Sequence, residues 1–142
     1  MKISFGVAAG AVALILTAMP AAADDLTGAD RFLCTAGEVT LCTMDGECEN
    51  GPPSQFNIPD FIVVDLEARL LKTTDASQEN RQTPILHFTR EDGLIVLQGL
   101  EMERAFSFNI DEASGTLTAA TARPGLFVGA FGACTPLPVD HD

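Results

Sequence analysis

Arg104-Ala-Phe-Ser-Phe-Asn-Ile110 alternates without a break: Phe106, Phe108 and Ile110 share one side of an extended chain, and Ala105, Ser107 and Asn109 share the other. Successive side chains of a strand point to opposite faces, so this pattern marks a strand with one buried face. Working outward, turn signals recur about every ten residues: Ala36-Gly37, Asp45-Gly46, Glu91-Asp92-Gly93, Glu101-Met-Glu103, Asp111 to Gly115 and Arg123-Pro-Gly125. Between them lie segments rich in β-branched and aromatic residues: 38–43, 61–66, 69–74, 84–90, 94–101, 104–110, 116–122 and 126–133. That makes about eight short strands, most of them joined tightly enough to be hairpins. No helical period survives beyond the N-terminal segment, although Gln55–Asp60 has room for one turn before Pro59 stops it.

The fold class read from this is all-β, a small antiparallel up-and-down barrel, with a two-sheet sandwich as the alternative. Gly99, Gly129 and Gly132 lie inside strands, where they suit bends at barrel corners. Two segments fall outside the strand pattern: the Pro-rich stretch from Asn50 to Pro59, and the polar stretch from Asp75 to Gln82.

Four cysteines, Cys34, Cys42, Cys48 and Cys134, allow three pairings. Cys42-Thr-Met-Asp-Gly-Glu-Cys48 reads as a tight hairpin with Gly46 at the left-handed position, which sets Cys42 opposite Cys48 at bridging distance. Cys34 is then left with Cys134, tying the first strand to the last and removing two exposed edges. In the chain-entropy account the 7-residue loop is worth about 2.4 kcal/mol and the 101-residue loop about 4.7 kcal/mol. A four-cysteine zinc site lacks its paired short spacings, and redox catalysis lacks a C-x-x-C.

Residues 1–23 have the composition of an export signal: Lys2, an apolar run from Phe5 to Leu16, then Pro20 and Ala21-Ala-Ala23, with cleavage expected after Ala23. The run is short for a membrane span, which needs about 20 residues, and no membrane anchor is expected after cleavage. Residues 24–142 read as one β domain ending in a short acidic tail, Val139-Asp-His-Asp142. Export to the periplasm or beyond would make two disulfides the natural state of the cysteines. The full chain carries a net charge of −12, and loss of Lys2 leaves 7 basic against 20 acidic residues, or −13. Such a surface repels nucleic acid and anionic membranes and attracts a basic envelope protein.

No cluster of residues specifies a chemistry. His87 lies between Leu86 and Phe88 and points away from both, toward the solvent side of a strand; His141 is in the tail. Without a placed histidine, Ser-His and Cys-His nucleophiles have no partner. Asp45, Glu47 and Glu49 alternate along a hairpin and repel one another, but they lack the glycine and glutamate of an EF-hand loop. Asp111-Glu112 open an ordinary hairpin loop. No catalytic residue, cofactor or metal ligand is therefore assigned. The chain contains no Trp or Tyr, so stacking platforms for sugars or bases are missing too. Phe56 and Ile58, on the Pro-rich connection, are the candidate residues for an exposed partner contact; the competing reading has them plugging one end of the barrel.

The runs Gln98 to Asp111, Gly115 to Thr118 and Phe131 to Pro136, with Phe32-Leu-Cys34, Cys42 and Cys48, resemble small exported, disulfide-containing proteins of alphaproteobacteria. That likeness implies export and disulfides and carries no activity or site residue with it. A looser similarity, of size and architecture only, joins the chain to envelope inhibitors of lysozyme or metalloproteases, which are also small disulfide-bonded β-barrels. The expectation is a non-catalytic binding module of the periplasm. Its alternatives are an inhibitor of an envelope or secreted enzyme and a carrier for a small apolar ligand, the last requiring an interior cavity of a few hundred Å3, as ligand pockets usually measure.

Overall fold

Phe106, Phe108 and Ile110 do share a buried face, and the strand that carries them sits within one large antiparallel sheet. The computed structural model describes residues 24–138; the expected export signal, 1–23, and the expected acidic tail lie outside the described residues. The ten strands are β1 (Arg31–Thr43), β2 (Cys48–Gly51), β3 (Phe61–Asp65), β4 (Leu70–Thr73), β5 (Gln82–Pro84), β6 (His87–Glu91), β7 (Leu94–Glu101), β8 (Arg104–Asp111), β9 (Thr116–Arg123) and β10 (Leu126–Pro136). Their order in the sheet is β5-β4-β3-β1-β10-β9-β8-β7-β6, and β2 pairs only with the second half of β1.

This sheet is a curled half-barrel, and its two outermost strands are one piece of chain. Between Pro84 and His87 only Ile85 and Leu86 intervene; their amides donate to the Arg69 carbonyl (2.9 Å) and the Gln98 carbonyl (2.9 Å). The segment thus leaves β4 and joins β7, bridging the curl. Gly99 is needed at that junction, because a Cβ there would meet the Phe106 ring at 2.6 Å and the Pro84 carbonyl oxygen at 2.8 Å. Gly132 is likewise required, lying hard against the Thr35 carbonyl; at Gly129 a Cβ would meet only the Ala119 carbonyl oxygen, at 4.0 Å, an ordinary contact that does not require glycine.

Strand β1 departs from the sequence expectation. Ala36-Gly37 is not a turn between strands but part of an irregularity, between Ala36 and Val39, inside a strand of 13 residues. Both halves of β1 pair with β10, so the ladder continues through the break and the extra residues bend the strand. The bend lets the first half pair with β3 and the second with β2. The 84–90 strand is also corrected: it divides at Ile85-Leu86 because its two parts serve different neighbours.

Both bridges form as the sequence implies. Cys34 is paired in register with Cys134, and Cys42 with Cys48; each pair is disulfide-bonded. Gly46 takes φ +84°, the left-handed conformation its three-residue loop requires.

Two apolar clusters fill the inside. The larger gathers Leu26, Phe32, Val64, Ile95, Leu97 and Ile110, all at 0 % exposure, around the Cys34–Cys134 bridge. The smaller holds Val39, Phe56 and Val128, with Leu41, Ile58 and Leu126 packed against it. One end of the curl is closed by residues 24–30: Leu26 is fully buried and its amide donates to the Glu112 carbonyl at 2.8 Å. Arg90 locks that closure, donating to the Leu26 carbonyl (2.9 Å) and pairing with Glu112 (2.6 Å) and Asp30 (3.3 Å).

Candidate functional site

The residues singled out from the sequence do not converge. Phe56 is buried on a short 3-10 turn (Pro53–Phe56) and Ile58 is half-buried behind it, so both plug the second end of the curl. The expected exposed contact at Phe56 and Ile58 is not formed, because Val39, Leu41 and Val128 offer them an apolar seat. His87 is exposed on the outer side of β6, opposite Gln98. Asp45, Glu47 and Glu49 are exposed around the β1–β2 hairpin, and among the described residues no three His, Cys, Asp or Glu side chains are grouped to hold a metal. Asp111 caps its own turn: the Ser114 hydroxyl (2.7 Å) and the Ser114 amide (2.8 Å) donate to its carboxylate and hold its pKa below the ordinary range.

What the fold assembles instead is a wall. The register of β7 to β10 sends every second side chain outward, and along 94–100, 105–109, 116–122 and 127–135 none of those outward residues is charged. In a chain with 28 charged residues this is a large neutral area. Its projections are apolar: Phe131 is 75 % exposed, Leu100 61 % and Phe127 56 %. Between them Ala105, Ser107, Ala120 and Ala122 are too small to fill the surface, leaving an open groove of about 480 Å3 that His87 and Leu86 border. An exposed apolar patch on a folded domain marks a contact surface more often than an accident.

Carboxylates border this wall on three sides without entering it. Glu91 and Asp92 lie at one end, Glu103 at the other, and Glu38, Glu47 and Glu49 along the β1–β2 side. The opposite wall is built differently. There Asp65 on β3 bridges Arg31 of β1 (3.8 Å) and Lys72 of β4 (3.5 Å).

A second feature lies inside, at the seam between the two clusters. Ala36, Ala119 and Ala130 leave a narrow cavity of about 60 Å3, and the Thr121 hydroxyl on its wall is buried without a hydrogen-bond partner. That is room for about two waters, so the interior is filled by the chain's own side chains. Toward the plugged end the seam meets a cleft of about 260 Å3 lined by Leu41, Phe56, Leu126, Met102, Arg104 and Arg123.

The neutral wall is readable in principle, as alternate uncharged positions over four consecutive strands. Only the pairing order shows that those strands are neighbours. Comparison with protein-family models, with curated proteins and with solved structures finds no match for this chain.

Proposed function

We propose that this chain is an exported, non-catalytic interaction module whose β7–β10 wall docks a basic partner protein. The observation that carries the reading is the uncharged wall with Phe127, Phe131 and Leu100 standing from it, bordered on three sides by carboxylates. Desolvating an uncharged surface costs little, and rings of aromatic and aliphatic side chains supply most of the contact energy in docked interfaces. The acidic rim then selects the partner: an apolar patch bordered by Lys and Arg gains attraction, and an acidic one is repelled. A second copy of this chain would bring carboxylate rim against carboxylate rim at −12 each, so self-association is disfavoured. Export is supported by two disulfides and by the signal-like composition of residues 1–23. Among basic envelope proteins an enzyme is one such partner, which makes inhibition a special case of the same docking.

The test immobilises the mature protein and passes extracellular and periplasmic extract over it, alongside Phe131→Asp and Phe56→Ala variants. A basic protein held by the native wall, lost on Phe131→Asp, kept on Phe56→Ala and released by salt is the expected result. Retention unchanged by Phe131→Asp, or no retained basic protein, overturns the reading.

A further inference from the structure

The basic residues of this chain are few, and nearly all are engaged. Asp65 takes Arg31 and Lys72, Glu112 and Asp30 take Arg90, Glu101 takes Arg81 at 2.7 Å, and Arg69 lies over the Phe88 ring at 5.4 Å. Arg104 and Arg123 are the exceptions, making no ion pair or hydrogen bond with any described residue. Glu101 is the β-ladder partner of Arg104, yet its carboxylate is turned to Arg81 and to the Thr83 hydroxyl (3.0 Å).

Their placement is specific. The last ladder pair between β8 and β9 at this end is Ala105 with Ala122, both facing outward. One residue further on come Arg104, half-buried, and Arg123, exposed, and both side chains line one cleft. Like charges opposed across neighbouring strands destabilise a sheet. Among the described residues no carboxylate is paired with either of them. The same two arginines line the cleft of about 260 Å3, whose other walls are Leu41, Phe56, Met102, Leu126 and Val128, with Asn57 as one further polar group. Arg104 also borders the seam cavity where the Thr121 hydroxyl is buried without a partner. Two cations, one unsatisfied hydroxyl and an apolar lining thus meet at one mouth.

We infer that the cleft between Arg104 and Arg123 binds a small amphipathic carboxylate, its head between the two guanidinium groups and its apolar body along Phe56, Leu126 and Val128 toward Thr121. The head relieves the repulsion of the two arginines through charge-assisted hydrogen bonds, which arginine offers to carboxylate in bidentate form. The cleft has about nine times the space of a liquid water molecule, which suits a body of about eight carbons and no large lipid. This site shares no lining residue with the groove of the docking wall.

The probe is octanoate, titrated calorimetrically into the mature protein, with octanol and acetate as controls. Octanoate binds at least about tenfold more tightly than octanol, as two charge-assisted contacts require, and acetate binds weakest for want of the apolar body. Arg104→Gln with Arg123→Gln lowers octanoate affinity about tenfold or more and leaves octanol unchanged; circular dichroism verifies the fold of the variant. Amide chemical-shift changes on octanoate addition fall on Arg104, Thr121 and Val128. Equal binding of octanoate and octanol, octanoate binding unaffected by the double substitution, or shifts confined to the outer wall overturns the inference. Should the double variant not fold, the native protein's shift map and the octanol comparison decide alone.

Discussion

The two ends of this curled sheet solve the same problem with different materials. At the first end residues 24–30 fold over the opening, Leu26 is fully buried, and one arginine, Arg90, satisfies Glu112, Asp30 and the Leu26 carbonyl together. At the second end Phe56 and Ile58 pack on Val39, Leu41 and Val128, a void lined by alanines remains at the seam, and two arginines stand without partners among the described residues. The first end is built for stability: its polar groups are paired and its apolar groups packed. The second keeps two arginines without a protein partner among the described residues, one half-buried and one exposed, beside open apolar space, a combination that can take a ligand. Local stability is commonly surrendered at sites that bind.

Three experiments bear on this contrast. The largest effect belongs to the disulfides, one per region. Cys34→Ala with Cys134→Ala removes the bridge inside the larger cluster and lowers unfolding free energy by about 4.7 kcal/mol in the chain-entropy account. Cys42→Ala with Cys48→Ala, in the outer hairpin, costs about 2.4 kcal/mol. Urea unfolding followed by circular dichroism reads both, since the chain has no Trp or Tyr to report by fluorescence. Equal costs would remove the distinction between the two regions.

The arginines come next. Arg90→Met leaves the Glu112 carboxylate, only 17 % exposed, and the Leu26 carbonyl without their donor, at a cost of about 1–3 kcal/mol. Arg104→Met removes one of two like charges lining the cleft, and the unfolding midpoint stays level or rises. A matching loss at both positions would mean that Arg104 is structurally satisfied, and the contrast between the ends would fail.

The smallest effect is a pH dependence confined to the first end. Hydrogen bonds from the Ser114 hydroxyl and then the Ser114 amide hold the Asp111 carboxyl below its ordinary 3.8, and the Thr27 hydroxyl and amide do the same for Asp25. A carboxyl whose folded pKa is depressed stabilises the fold above its unfolded pKa and loses that contribution as pH falls through the folded pKa. Asp111→Asn therefore lowers the melting temperature slightly at neutral pH, and the difference from the native protein closes below pH 3.8. A difference that persists undiminished into strong acid would assign the loss to geometry rather than charge.

How far each feature is legible in the sequence depends on the range of the interaction behind it. The alternation in 104–110, the glycines of the turns and the pairing of Cys42 with Cys48 are short-range facts, and the structure keeps them. Cys34 with Cys134 comes by elimination, and it too holds. The bend in β1 reads as a turn because Ala36-Gly37 carries the same local signal for either. Which it becomes depends on β10, about a hundred residues away, pairing with both halves. Phe56 and Ile58 are ambiguous for the same reason: a Pro-rich segment with two apolar side chains plugs or protrudes according to whether a seat exists.

The strands, the tight turns and the two bridges are thus written in the chain itself, because period-two burial, left-handed glycines and facing cysteines are settled within a few residues or by counting. Which strands become neighbours is settled only when the sheet forms. That order gathers uncharged alternate positions from β7 to β10 into one wall. It also brings Arg104 and Arg123, 19 residues apart, to the lining of one cleft, neither paired with a carboxylate among the described residues. Charge and apolar surface act through space, and their meaning appears once the sheet has fixed what faces what.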